Sequence, residues 1–163
     1  MHNKVVHTLA RALVQSGWTA VRFNFRGVGA SEGAHDEGHG EVDDLLAVVR
    51  QAAPEGPLAL AGFSFGTAVV SNALTRLWPM RDIAKIVLVG TAVSRFSVAR
   101  FPAELADRIL VLHGERDETV PLAQVFAWAR DQGLLVSVVP GGEHFFHGQL
   151  PLLKSAVNRH LRC

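Results

Sequence analysis

Three residues of this chain have the types and spacing to do nucleophilic chemistry: Ser64, Asp117 and His144. Ser64 is the centre of Gly62-Phe63-Ser64-Phe65-Gly66. A serine hydroxyl is a poor nucleophile until a base takes its proton, and that base needs an acid to orient it. The apolar run Leu58-Ala59-Leu60-Ala61 precedes the serine, and a helical pattern from Thr67 to Leu74 follows it. This predicts a strand, a sharp turn and a helix, with the serine at the bend. At such a bend the hydroxyl projects above the sheet, and glycines let neighbouring backbone pass without a Cβ clash. The Phe65 N–H, at a helix N-terminus, then points to where an oxyanion would form.

The partners must arrive on neighbouring loops. Five short apolar runs read as buried parallel strands: Ala20–Phe25, Leu58–Phe63, Ile86–Val89, Ile109–His113 and Leu135–Val139. Helical periodicity covers Val5–Gln15, Glu41–Gln51, Phe65–Arg76, Pro121–Asp131 and Pro151–Leu161, with Gly17 and Gly133 as stops. Strands alternating with helices predict an α/β fold with a mainly parallel sheet, whose ligands bind at the carboxyl ends of the strands. Asp117 lies four residues beyond the strand ending at His113, and His144 lies just beyond the last strand. Both are therefore expected on the edge that carries Ser64. Asp107 is the weaker competitor because it precedes its strand and falls at the opposite edge. His147 rivals His144 but lies further from the strand end.

The chain has 163 residues and a formal net charge of +1. That is the size of a single domain, 1–163, with enough apolar content for one core. No cluster of lysine or arginine along the sequence reads as a nucleic-acid or membrane footprint. No apolar run is long enough for a membrane span. Met1–Val6 lacks the apolar run of a secretory leader, and the single cysteine, Cys163, cannot form an intramolecular disulfide. A cytoplasmic protein is expected; the oligomeric state has no signature in the sequence.

Four segments carry a resemblance. They are Phe23-Asn24-Phe25-Arg26-Gly27-Val28-Gly29-Ala30-Ser31-Glu32-Gly33, the Gly-Phe-Ser-Phe-Gly turn, His113-Gly114-Glu115-Arg116-Asp117, and Gly141-Gly142-Glu143-His144-Phe145-Phe146-His147-Gly148. Together, in this order, they resemble the α/β-hydrolase superfamily, and more narrowly its small bacterial serine hydrolases without a cap domain. The similarity runs from about Asn3 to the C-terminus. It implies a three-layer α/β/α arrangement, minimal here at about five strands, with Ser64 as nucleophile, His144 as base, Asp117 as the orienting acid and Phe65 as oxyanion donor. The implied reaction is hydrolysis of a small-molecule carboxylic ester or thioester through an acyl-enzyme, with no cofactor and no metal. The resemblance also implies a strand between the equivalents of Ala20–Phe25 and Leu58–Phe63, followed by a loop that gives a second oxyanion N–H. The chain begins almost at its first helix, so a truncated chain or a start codon assigned too late is the expectation. Otherwise Ala20–Phe25 and Leu58–Phe63 close up and pair directly.

The remaining candidates are weighed against blander roles. Phe63, Phe65, Phe96, Phe145 and Phe146 lie on segments that converge near Ser64; those left exposed would form an apolar acyl pocket, the others core. Arg26, with Gly27 and Gly29, shapes the loop beside the nucleophile, although Asn24 or Arg26 could contact substrate. His113 is expected to cap its strand. His35 and His39, with Asp36, Glu37 and Glu41, could hold a metal but read better as a solvated acidic loop. The segment between the strands at Ile86 and Ile109 is too short for a cap domain. Two other readings exist: a catalytically weak binding or scaffold protein, and a nucleotide binder using Gly27–Gly33. The glycine spacing of that loop departs from Gly-x-Gly-x-x-Gly.

Overall fold

A computed structural model describes residues 3–162. Asn3 opens the first helix, its side-chain oxygen accepting the N–H groups of Val5 and Val6 at 2.9 and 3.1 Å, and α1 runs Lys4–Gln15. Then come α2 (His39–Ala52), β1 (Leu58–Phe63), α3 (Phe65–Leu77), β2 (Ile83–Val89), a short 3-10 helix (Ala103–Arg108), β3 (Ile109–Gly114), α4 (Leu122–Gln132), β4 (Val136–Val139) and α5 (Leu150–Arg162). The left-handed Gly133, at φ 69°, closes α4, and Pro121 caps its start.

The sheet has four strands in the order β1-β2-β3-β4, all parallel. Alternation along each strand divides the core in two. Leu58, Leu60, Ile86, Leu88 and Val111 face one side, where they pack with residues of α2, α3 and α4. Phe63, Val87, Val89, Leu112 and Val139 face the other, under α1 and α5. Helices therefore cover both faces, as parallel strands buried on both sides require. Because every strand runs the same way, the loops after β1, β3 and β4 emerge on one edge of the sheet.

One predicted strand is not a strand. Residues 20–25 have no strand or bridge pairing, so the sheet has four strands instead of about five. Phe23 and Phe25 do pack against the core, which accounts for their apolar character. What the segment lacks is a ladder. Pairing requires approach to about 4.8 Å, yet two cavities of about 150 and 350 Å³ lie between this segment and β1, lined by Val21 and Phe23 on one side and by Ala61 on the other. The alternative in which residues 20–25 and β1 pair directly is thereby excluded. Leu45 of α2 and Leu13 of α1 line both cavities and stand on opposite faces of this gap.

Among the described residues no helix is long and apolar enough to cross a membrane.

Candidate active site

The turn between β1 and α3 bends sharply because of its residues. Ser64 sits at φ 51°, ψ −120°, a region a non-glycine residue enters only at a cost of about 1–3 kcal/mol. The surrounding structure holds it there. Its N–H donates to Val89 O at 2.9 Å, continuing the β1–β2 ladder. Its carbonyl accepts the Thr67 hydroxyl at 2.6 Å, and that hydroxyl in turn accepts the Ala92 N–H at 3.2 Å. Gly62 is required: a Cβ there would lie 2.5 Å from Gly66 O. The second glycine of the motif has a different part, because a Cβ on Gly66 would meet nothing within 4 Å. It is the Gly66 backbone, not its missing side chain, that makes Gly62 obligatory. Phe65 is the first residue of α3, where its N–H has no acceptor within the helix.

The three residues singled out from the sequence converge at the carboxyl edge of the sheet. His144 Nε2 lies 3.0 Å from Ser64 Oγ, and His144 Nδ1 lies 2.7 Å from Asp117 Oδ2. A carboxylate only accepts, so Nδ1 carries the hydrogen and Nε2 is left to accept from the serine hydroxyl. Asp117 is 5% exposed and His144 6%. Burial by itself pushes the Asp117 carboxyl up. Hydrogen bonds from His144 and from the Val120 N–H, with the nearby histidines, outweigh it and hold the group below the ordinary carboxylate range. Asp117 Oδ1 accepts Thr119 N–H at 2.9 Å and Val120 N–H at 2.8 Å, which fixes the carboxylate on its turn.

His144 is also held by packing. Phe63 lies against its ring at 5.0 Å between centroids, and Phe145 meets it edge-on at 5.1 Å. On the remaining side stands Gly90, at φ 59°, whose Cβ would come within 3.2 Å of His144 Cε1. Sequence reasoning passed over Gly90 and Thr67. The signal available for Gly90 was a glycine ending an apolar strand; for Thr67 there was none.

The other candidates separate by position. Phe65 meets Phe25, His35 and Phe96, the last at 4.7 Å, and Phe145 is 49% exposed beside Phe63. Phe146 belongs to the core, fully buried beneath α1 and α5. The Arg26 guanidinium is engaged by Asp44 through two hydrogen bonds of 2.9 and 2.8 Å and fills the space above Gly40. It thus braces the loop of residues 27–40 against α2. His147 is exposed and paired with Glu143, away from Ser64. Asp107 lies in the 3-10 helix ahead of β3.

Glu41 departs most from its sequence reading. It is fully buried, not solvated. Its carboxylate accepts Asp36 N–H at 2.9 Å and Gly38 N–H at 3.0 Å, and His35 Nδ1 lies 2.9 Å away. Burial pushes this carboxyl up, and the backbone hydrogen bonds more than reverse the shift, so it stays below the usual range. No group of three or more histidine, cysteine or acidic side chains among the described residues is arranged to hold a metal.

Beside His144 opens a cavity of about 590 Å³, walled by Arg116, Thr119, Glu143, Phe145 and Gln149. The geometry has what acyl transfer to water needs: a strained serine, a base within hydrogen-bond reach, a buried acid behind it and an adjoining space.

Comparison with known proteins bears on the fold and the family. The profile of the family described as serine aminopeptidase, S33, matches residues 1–111. An α/β serine hydrolase without lid from Xanthomonas campestris is 39% identical, with a TM-score of 0.88; the match covers 99% of this chain and 74% of that one. An α/β serine hydrolase homologue from Coxiella burnetii is 38% identical with a TM-score of 0.84, covering 99% of this chain and 77% of that one. An uncharacterized protein of Rickettsia prowazekii is 28% identical over 172 residues, 99% of this chain and 72% of its own length.

Proposed function

The chain belongs to the serine aminopeptidase S33 family within the α/β-hydrolase superfamily, and on that footing we propose that it is a serine hydrolase cleaving a carboxylic ester or thioester through an acyl-enzyme on Ser64. The observation that carries this reading is the hydrogen-bonded series from Ser64 Oγ to His144, 3.0 Å, and on to Asp117, 2.7 Å, built on a strained serine.

Ser64 Oγ attacks the substrate carbonyl carbon while His144 Nε2 takes its proton. The Phe65 N–H donates to the carbonyl oxygen as it becomes an oxyanion. Asp117 keeps the proton of His144 on Nδ1 and stabilises the imidazolium that forms. Collapse of the tetrahedral intermediate breaks the bond to the leaving oxygen or sulfur, which receives the proton from Nε2. Water, deprotonated by His144, then attacks the acyl carbon, and Ser64 Oγ leaves with the proton. The products are a carboxylic acid and an alcohol or thiol. Phe65, Phe96 and Phe145 form the apolar surface for the acyl group, whereas Phe63, expected there too, is buried in the core and backs the His144 ring instead.

An ester or thioester is favoured over an N-terminal peptide because recognising an α-ammonium calls for a free carboxylate. Three carboxylates of the surrounding loops are already engaged, Glu41 by loop amides and His35, Asp44 by Arg26 and Glu143 by His147, which leaves Glu118 on the cavity wall as the one an ammonium could meet, so the anilide arm of the test bears directly on this choice. The test is a panel of p-nitrophenyl esters of increasing acyl length, an acyl thioester and an aminoacyl p-nitroanilide, with Ser64→Ala as control. Hydrolysis of esters and thioester that vanishes in Ser64→Ala supports the proposal. Turnover of the anilide alone, or ester hydrolysis unchanged in Ser64→Ala, overturns it.

A further inference from the structure

We propose that His113 is a positioning residue for the triad: its ring Nε2–H clamps the Val120 carbonyl and flanks the Asp117 carboxylate, locking the turn that aims Asp117 at His144. The inference rests on the hydrolase reading and names a residue that the reaction itself does not use.

His113 is the penultimate residue of β3, and its side chain is fully buried. Its Nε2 lies 2.8 Å from Val120 O. A carbonyl oxygen only accepts, so the hydrogen must be on Nε2. Nδ1 has no hydrogen-bond partner among the described residues. A buried imidazole with one nitrogen unsatisfied is a poor choice for filling space, since an apolar side chain would do so without loss. What the ring supplies is the single donor on Nε2.

That donor acts on the peptide that matters. The Val120 N–H donates to Asp117 Oδ1 at 2.8 Å, while the Val120 C=O accepts from His113 at 2.8 Å. The turn from Asp117 to Val120 is thus pinned from both sides, and Val120 is itself fully buried. The same Nε2 lies 3.5 Å from Asp117 Oδ2, the oxygen that accepts the His144 Nδ1–H. Behind the carboxylate, then, stands a donor too distant to compete with His144 but close enough to oppose rotation of the carboxylate away from it. Burial lowers the affinity of His113 for a second proton, which favours the neutral ring over a cation that would draw Asp117 from His144.

The test compares His113→Leu with His113→Gln, because a glutamine amide can place an N–H near the position of Nε2. His113→Leu should lower kcat on the order of 10–100-fold with KM within about twofold, the effect expected of a displaced catalytic group. His113→Gln should restore most of the loss. The proton NMR line at low field from the His144–Asp117 hydrogen bond should broaden or vanish in His113→Leu and return in His113→Gln. Independently of any variant, ¹⁵N spectra of the wild-type protein should show His113 protonated on Nε2 alone. Full kcat in His113→Leu, equal losses in both variants, or a proton on His113 Nδ1 would overturn the proposal. The NMR measurements need no turnover, so they decide the role of His113 even if the ester panel fails and the hydrolase reading falls.

Discussion

Replacing Asp117 with asparagine isolates the electrostatic and tautomeric work of the carboxylate from its structural work. Asp117 Oδ1 accepts two backbone N–H groups, from Thr119 and Val120, at 2.9 and 2.8 Å. An asparagine carbonyl oxygen can keep both, so the turn should persist and unfolding free energy should change by only about 1 kcal/mol. At the other position an NH₂ replaces Oδ2, facing His144 Nδ1 across 2.7 Å. Two donors cannot share that contact. His144 then shifts its hydrogen to Nε2, which lies 3.0 Å from Ser64 Oγ and can no longer accept the hydroxyl proton. The expected loss in kcat is about 10³–10⁴, the scale for a triad held in the wrong tautomer. This corresponds to about 4–5.5 kcal/mol of transition-state stabilisation. Steady-state kinetics on the best ester of the panel, with urea unfolding in parallel, read both quantities. A variant that keeps kcat within tenfold of wild type while remaining folded would refute the assignment of Asp117.

Four further expectations concern the glycines around the serine and its base and the buried titratable groups. Gly62→Ala must push a Cβ against Gly66 O at 2.5 Å and should destabilise by about 1–3 kcal/mol. Gly66→Ala, in open space within α3, should instead stabilise by about 0.5–1 kcal/mol; equal effects in urea unfolding would contradict the account of the turn. Gly90→Ala places its Cβ 3.2 Å from His144 Cε1, so kcat should fall about 10-fold or more while KM changes little; an unchanged kcat would mean that Gly90 does not constrain the base. In acid, stability should fall in two stages. His113 and His160 are held below the ordinary histidine value of about 6.5 by burial, so the unfolded chain binds more protons as pH drops below that value and stability declines first there. Asp117, lowered in the folded state, adds a second loss only below about pH 4, the unfolded carboxylate value. Chemical denaturation across pH 3–8 measures this, and His113→Gln should flatten the upper stage; stability that rises on acidification from pH 7 to 5 would reverse the sign of the argument.

Much of this site could be read before folding, for particular reasons. The convergence of Ser64, His144 and Asp117 was legible because strand, turn and helix are encoded locally: an apolar run, a Gly-x-Ser-x-Gly bend and a 3.6-residue period around Ser64, with Asp117 and His144 each just past an apolar run. Ala20–Phe25 misled because apolar β-branched and aromatic composition reports burial, and here Phe23 and Phe25 are packed without a neighbouring strand to bond to. Glu41 misled for the converse reason. The segment before it, Asp36-Glu37-Gly38-His39, is mostly polar, and only the fold of the loop places the Asp36 and Gly38 N–H groups on its carboxylate. Arg26 read as shaping the loop, with substrate contact as the alternative, and the choice stayed open because its partner Asp44, eighteen positions away, is visible only once α2 folds back beneath the loop. Thr67 and Gly90 act through contacts with residues far along the chain, Ala92 and His144, which no local pattern announces.

The central claim is that Ser64 is an activated nucleophile, and reaction with a fluorophosphonate followed by peptide mass spectrometry tests it most directly. The account predicts one covalent phosphonyl adduct on the peptide that holds Ser64, absent in Ser64→Ala and formed far more slowly in Asp117→Asn. A folded protein that acquires no adduct, or an adduct that survives Ser64→Ala, would contradict it.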